Sequence, residues 1–262
     1  MGSTSSQSSG YITEITPGGV QSVFASGLDD PRGLAFDNTG DLFVSDYGSG
    51  AIYKFTPDGA ESVFASGLNA PFGLAIDGAG DLFEADNGSG AIYKFTPGGA
   101  KSMFASGLSS PTGLAFNSAG DLFEAQHADI FEFTPGGVQS TFASSGVAAP
   151  QGLAFNSAGN LFMADADLEV GEFTSGGTRI AFLSGVPVPL GLTFDGADNL
   201  FVSDSGGIFE ITPGGVKSTF ATGLSIPRGL AFQPAPEPST LGLLAVGAIA
   251  FIARRLQNRL RF

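Results

Sequence analysis

One unit of about 40 residues recurs along the chain. The run PRGLAFDNTGDLFVSDYGSGAIYKFTPDGAESVFASGL at 31–68 is followed at 71–108 by PFGLAIDGAGDLFEADNGSGAIYKFTPGGAKSMFASGL. Further copies open at Pro111, Pro150 and Pro189, and a partial one at Pro227, so the spacings are 40, 40, 39, 39 and 38 residues. A unit of this length is one supersecondary element that cannot bury its apolar face alone, so the copies must stack on one another.

Each unit holds four short runs with strand character, separated by turn chemistry. In the first copy these are Gly33–Asp37, Asp41–Asp46, Ala51–Thr56 and Glu61–Ser66. In the third run Tyr53 and Phe55 alternate with Ile52 and Lys54, the period of a pleated strand. Asn38-Thr39-Gly40, Gly48-Ser49-Gly50 and Pro57-Asp58-Gly59 lie between the runs. In such turns Pro presets φ and Gly accepts positive φ. Four strands and three tight turns describe an antiparallel meander, and radial repetition of such meanders makes a β-propeller. Phe36, Phe43, Phe55 and Phe64 recur as Ile76, Phe83, Phe95 and Phe104, then as Phe116, Phe123, Phe133 and Phe142. One large apolar side chain per strand at equivalent places is what sheets packed face to face require. With 25 Phe and no Trp, phenylalanine must supply the aromatic core. With no Cys, disulfides, thiolate nucleophiles and cysteine-ligated zinc are excluded.

The ends of the repeat region are out of phase. Tyr11–Gly19 matches a third strand and its turn, Val20–Leu28 a fourth strand, and Pro227–Phe232 only a first strand. Joined, they make a composite blade that closes the ring and hides its sheet edges. The expectation is an all-β, six-bladed propeller of four-stranded antiparallel blades over 11–232, with one composite, incomplete blade and a disordered stretch at 1–10. The composite blade lacks a second strand equivalent to Asp41–Asp46, and Met1-Gly2-Ser3 aligns with Tyr47-Gly48-Ser49. Met1 is therefore expected to be an internal methionine of a longer protein. The upstream sequence would supply the missing strand and also a secretory leader, because MGSTSSQSSG has neither a charged n-region nor an apolar h-region.

The units with Pro-x-Gly-Leu-Ala-Phe-Asp and Gly-Asp-Leu-Phe-Val-Ser-Asp resemble NHL repeats and, more broadly, six-bladed propellers of the SMP-30/gluconolactonase type. The C-terminal residues resemble a PEP-CTERM sorting signal. Pro236-Glu237-Pro238 with Ser239 and Thr240 falls in a Pro-rich linker at 233–240, an apolar run follows at 241–253, and Arg254-Arg255 opens a basic tail at 254–262. That resemblance implies a bacterial envelope protein, recognised by an exosortase-type membrane protease and processed at or near the motif. The apolar run is read as a short helix of about 20 Å, under the roughly 30 Å of a hydrocarbon core. It would hold the protein in the membrane before processing, with Arg254 and Arg255 as a cytoplasmic anchor.

The formal charge is −14, and the β-region alone holds seven basic and 24 acidic residues. Such a surface repels phosphate backbones, so no nucleic-acid partner is expected. In lactonases of the SMP-30 type, the resemblance places metal ligands where the innermost strands begin, several of them just before the strand glycine. Those positions here are Arg32, Phe72, Thr112, Gln151, Leu190 and Arg228. None is a carboxylate, and a hard divalent cation needs several oxygen ligands. No metal, cofactor or catalytic residue is therefore assigned, and the six positions are read as a binding face at the channel mouth. Glu84 and Glu124 replace Val44, Met163 and Val202 at one second-strand site, a weak acidic-site candidate read as a partly solvated face. His127, the one histidine, is read as an exposed turn residue, although propellers of the streptogramin-lyase type use a histidine-based site. The leading expectation is a non-enzymatic envelope or extracellular-matrix protein that binds a surface polysaccharide or another protein. The alternative is a lactonase- or lyase-like enzyme with its site at the channel mouth, using Glu84, Glu124 or His127.

Overall fold

The computed structural model describes residues 9–144, 147–165, 169–233, 244–246 and 249–252. The chain opens with the hairpin β1 (Ser9–Ile15) and β2 (Gln21–Asp29). Blade 1 is β3 (Pro31–Phe36), β4 (Leu42–Asp46), β5 (Ala51–Phe55) and β6 (Glu61–Ser66). Blade 2 is β7 (Pro71–Ile76), β8 (Leu82–Asp86), β9 (Ala91–Phe95) and β10 (Lys101–Ser106). Blade 3 is β11 (Leu114–Phe116), β12 (Leu122–Gln126), β13 (Asp129–Phe133) and β14 (Gln139–Ala143). Blade 4 is β15 (Pro150–Phe155), β16 (Leu161–Asp165), β17 (Glu169–Phe173) and β18 (Arg179–Ser184). Blade 5 is β19 (Leu192–Phe194), β20 (Leu200–Ser203), β21 (Gly207–Ile211) and β22 (Lys217–Thr222). Each is a four-stranded antiparallel meander in sequence order, so the propeller of repeat-encoded blades is observed.

The same side chains shape each blade. Asp37 Oδ1 accepts the backbone N–H groups of Thr39 and Asp41, both at 2.9 Å, and closes the first turn. Asp77, Asn117 and Asp195 do likewise in blades 2, 3 and 5. Thr56 Oγ1 accepts the N–H of Ala60 at 3.1 Å in the third turn, as Thr96, Thr134, Thr174 and Thr212 do in theirs. These local bonds compete well with extended backbone and place the turns.

Between blades the packing is aromatic. Phe43 meets Phe64 edge to face at 4.9 Å within blade 1, and Phe64 reaches Phe95 of blade 2 at 5.8 Å. Phe83, Phe104 and Phe133 repeat this one blade on, and Phe123, Phe142 and Phe173 one further. Each such pair contributes about 0.5–1.5 kcal/mol beyond area burial. The ring closes through one shared core, in which Ile12, Ile15 and Leu28 of the hairpin pack with Leu34 and Leu42 of blade 1 and with Phe201 and Ile208 of blade 5.

The closing sheet differs from the expected composite blade. Pro227–Ala231 has no strand pairing, with Leu230 and Ala231 in this core, and only Phe232 makes a bridge. β1 instead pairs with β23 (Leu244–Val246) and β24 (Ile249–Ile252), in the order β2-β1-β23-β24. Ile12 faces Val246, and Thr13, Glu14 and Ile15 run parallel to Ala250, Phe251 and Ile252. The expected helix at 241–253 is thus corrected where it is described: these seven residues are strand, and no helix occurs among the described residues. A short apolar run does not distinguish helix from strand by period, and the second edge of β1 offers it unpaired backbone groups. β1 also begins at Ser9, inside the stretch expected to be disordered; residues 1–8 lie outside the described residues.

Candidate active site at the channel mouth

The inner strands begin side by side around the axis, and the glycine of each Pro-x-Gly permits this. A Cβ on Gly73 would lie 2.1 Å from the carbonyl oxygen of Thr112, one on Gly113 2.4 Å from that of Gln151, and one on Gly191 2.1 Å from that of Arg228. Hydroxyls stitch the same seam. The N–H of Gly33 donates to Ser45 Oγ at 2.7 Å, and that hydroxyl donates to the carbonyl of Phe72. In blade 5 Ser203 Oγ accepts from Gly191 N–H at 2.8 Å.

This close approach forms a pocket of about 90 Å³ lined by Arg32, Phe72, Gln151, Leu190 and Arg228, with a floor of Leu34, Leu74, Leu114, Leu153, Leu192 and Leu230. Five of the six sequence-expected mouth residues are thereby brought together. Thr112 is the exception: it is buried, and its hydroxyl donates to the carbonyls of Ala125 at 2.8 Å and Pro150 at 2.9 Å. Its short hydroxylated side chain turns inward and bonds backbone of its own blade and the next.

Two residues outside the expected set complete the site. Asp30 precedes the first inner strand with φ 65, and its carboxylate accepts a hydrogen bond from Arg32 Nη2. Its other oxygen lies 3.8 Å from Arg228 Nε. The Arg32 guanidinium is 4.5 Å from the ring centre of Tyr47 and 5.2 Å from that of Phe72. Burial, and then the charge of Arg32, pull the Arg228 guanidinium below its ordinary pKa. One signal was available in the sequence: of the residues preceding the repeated prolines (Asp30, Ala70, Ser110, Ala149, Val188 and Ile226), only Asp30 is charged.

The mouth does not fit a divalent cation. Two guanidiniums line it, the Asp30 carboxylate beside it is engaged by Arg32, and no group of three His, Cys, Asp or Glu occurs among the described residues. Hard cations are held by clustered oxygens, so no step is derived through a metal.

Glu84 and Glu124 are not partly solvated, as expected, but fully buried, and neither lines the mouth. Glu84 pairs across strands with Leu74 and Tyr93, Glu124 with Leu114 and Phe131. Their carboxyl oxygens have no hydrogen-bond partner. Burial, chiefly, pushes Glu84 up to about 9 and Glu124 up to about 8. Burial thus favours the protonated carboxyl in both, and the two lie in different blades, 2 and 3. His127 is exposed, with φ 40, in the turn between β12 and β13. The acids that end second strands hold turns: Asp86 accepts from Asn69 and Ser89 N–H, and Asp165 from Ala148 and Ala149 N–H. Pro236, Glu237, Pro238, Arg254 and Arg255 lie outside the described residues.

The fold and this pocket define a β-propeller with a cationic channel mouth. Residues 234–256 match the model of the PEP-CTERM protein-sorting motif, a signal that implies export through membrane-anchored sorting. No curated protein matches the chain. Among solved structures it is similar to a gluconolactonase from Xanthomonas campestris, with TM-score 0.76 and 16% identity over 91% of this chain and 93% of that one. It is similar to a putative gluconolactonase, with TM-score 0.74 and 17% identity over 87% and 89% of the two chains. It is also similar to a streptogramin B lyase, with TM-score 0.67 and 17% identity over 92% and 82%. At these identities the likeness establishes the fold. The expected non-enzymatic binding or scaffold protein is nevertheless corrected, since these neighbours carry lactonase and lyase names and favour the enzyme alternative.

Proposed function

We propose that the chain is an exported propeller enzyme of lactonase- or lyase-like type, released to the cell envelope or beyond after its sorting tail is processed, with its reaction at the channel mouth. One observation carries this: two guanidiniums, Arg32 and Arg228, converge on a small pocket with one carboxylate, Asp30, between them. A cationic pair over an apolar floor stabilises negative charge developing on an acyl oxygen, where such electrostatics are strongest. Asp30 is the carboxylate placed to handle a proton there.

The test uses the full chain against two ester-type substrates, a sugar lactone and a streptogramin B. The expected result is turnover of one class, with kcat/KM reduced at least a hundredfold in Arg228→Gln. Turnover of neither class above the buffer rate, or turnover unchanged by that substitution, overturns the reading.

A further inference from the structure

The interface between blades 4 and 5 is not filled as the three before it are. Between blades 1 and 2 the Phe64 ring meets Phe43 at 4.9 Å and Phe95 at 5.8 Å, and Phe104 and Phe142 repeat this in the next two interfaces. Three departures then coincide. Blade 5 has Ile211 where blades 1 to 4 have Phe55, Phe95, Phe133 and Phe173. Blade 4 has Gly171 where blades 1 to 3 have Tyr53, Tyr93 and Phe131. The ladder of β17 with β18 pairs Gly171 with Phe182, and its irregularity falls between Glu172 and Phe173, two residues beyond the place of the Ile52/Tyr53 irregularity in blade 1. A cavity of about 280 Å³ results, roughly three times the volume of the mouth pocket. It leaves Phe162 only half-buried, whereas its equivalents Phe43, Phe83, Phe123 and Phe201 are at most 4% exposed.

The cavity is apolar in its depth and acidic where it opens. Phe162 and Phe194, edge to face at 5.0 Å, line it with Leu183 and Ile211. Glu172 and Asp198 add two carboxylates, and no basic side chain lines it among the described residues. Asp198 stands, with φ 60, at the turn position that Gly40, Gly80, Gly120 and Gly159 hold in blades 1 to 4. Its carboxylate accepts the Ser157 hydroxyl and, at 3.0 Å, the Ser157 N–H, which ties blade 5 to blade 4. Those two bonds hold it below the ordinary carboxylate range. Glu172 Oε1 accepts from Asn160 Nδ2 at 2.9 Å. Both carboxylates are thus fixed in place. An apolar cavity of about 150 Å³ already takes a benzene ring, so this one has room for a ring with a short chain. Two carboxylates with no base among them favour a cation at the end of that chain.

We propose that this cavity is a second ligand site, for a small aromatic amine whose ring packs against Phe162 and Ile211 and whose ammonium group meets Glu172 and Asp198. It shares no lining residue with the channel mouth and does not depend on the function proposed there.

The experiment is NMR titration of the isotope-labelled full chain with phenethylamine, phenylpropionate and butylamine. Phenethylamine is expected to bind at least tenfold more tightly than the anion or the ringless amine. It should shift the amides of Glu172, Thr212 and Gly215 and leave those of Gly73 and Gly191, at the mouth, in place. Ile211→Phe restores the residue of blades 1 to 4, fills the cavity and is expected to weaken binding at least tenfold. Glu172→Gln leaves the apolar depth untouched and is expected to weaken it at least threefold. Near-UV circular dichroism shows whether each variant is folded, and Glu172→Gln decides alone if Ile211→Phe is not. Absence of binding, equal binding of phenylpropionate or butylamine, shifts centred on the mouth, or affinity left unchanged by either folded variant overturns the proposal.

Discussion

Gly33 packs its bare Cα against the carbonyl oxygen of Phe72 in the neighbouring blade, where a Cβ would stand at 2.3 Å. The contact partner is backbone within a strand, so it cannot move aside. Gly33→Ala and Gly113→Ala are expected to lower stability by about 1–3 kcal/mol each through overpacking. Gly78→Ala meets nothing within 4 Å, and should be neutral or stabilising by about 0.4–1 kcal/mol through the unfolded chain. Urea midpoints of the three variants decide the matter, and equal effects would refute the close-approach account.

Glu84 and Glu124 make stability depend on pH. The folded chain holds their protons up to about pH 9 and pH 8, whereas an unfolded carboxyl releases its proton near 4.5. Between these limits the folded state binds more protons, so stability is greatest below about pH 4.5 for this contribution and is lost as pH rises. The slope is about 1.4 kcal/mol per pH unit for each group at most. Glu84→Val and Glu124→Met copy the fully buried Val44 and Met163 at the equivalent places. They should flatten the slope between pH 5 and pH 8 and raise stability at pH 8. Chemical denaturation at the two pH values provides the readout, and an unchanged slope would count against the assignment.

Asp86 bonds two backbone N–H groups that have no other acceptor in its turn. Asp86→Ala should cost about 1–3 kcal/mol by leaving them unsatisfied. Asp86→Gln should cost less, because Gln126 performs the same bond to Ser109 N–H at 2.8 Å in blade 3. Thermal melts of the pair would show the ranking.

The strands β23 and β24 cover the open edge of β1 with residues of the sorting segment. Removing residues 234–262 is expected to speed hydrogen exchange at Thr13, Glu14 and Ile15 while the amides of blade 2 keep their rates. Exchange measured by NMR on full-length and truncated chains tests this. In a host with an exosortase the same truncation should appear as a loss of mass near Pro236–Pro238, and β1 should then exchange as in the truncated chain.

His127 stands apart from the mouth pocket. His127→Gly should leave kcat/KM on any substrate unchanged and relieve the left-handed backbone by about 1 kcal/mol. A hundredfold fall in activity would return His127 to the candidate catalytic residues.

Local features were legible in the residues. The repeat spacing, the Asx and threonine turns and the one-per-strand phenylalanines depend on neighbours a few positions away, and each copy states them again. The sorting motif is likewise a linear signal. Burial within a blade was not legible. β4, β8 and β12 are covered on both faces, so a two-residue period does not separate inside from outside, and Glu84 and Glu124 read as near-surface. The expected helix gives way to strand at 244–246 and 249–252 for a related reason: the choice between helix and strand there rests on the free edge of β1, which no local pattern announces.

The residues by themselves determined a ring of stacked meanders and where its inner strands start, because propensity, turn chemistry and periodicity act over short distances. Only the closed ring decided the site. Asp30 and Arg228 are remote in sequence and meet because blade 5 returns to blade 1 through the hairpin. The inward turn of Thr112 depends on a carbonyl of the next blade. Contacts of that kind are products of closure, and they set the charge of the mouth.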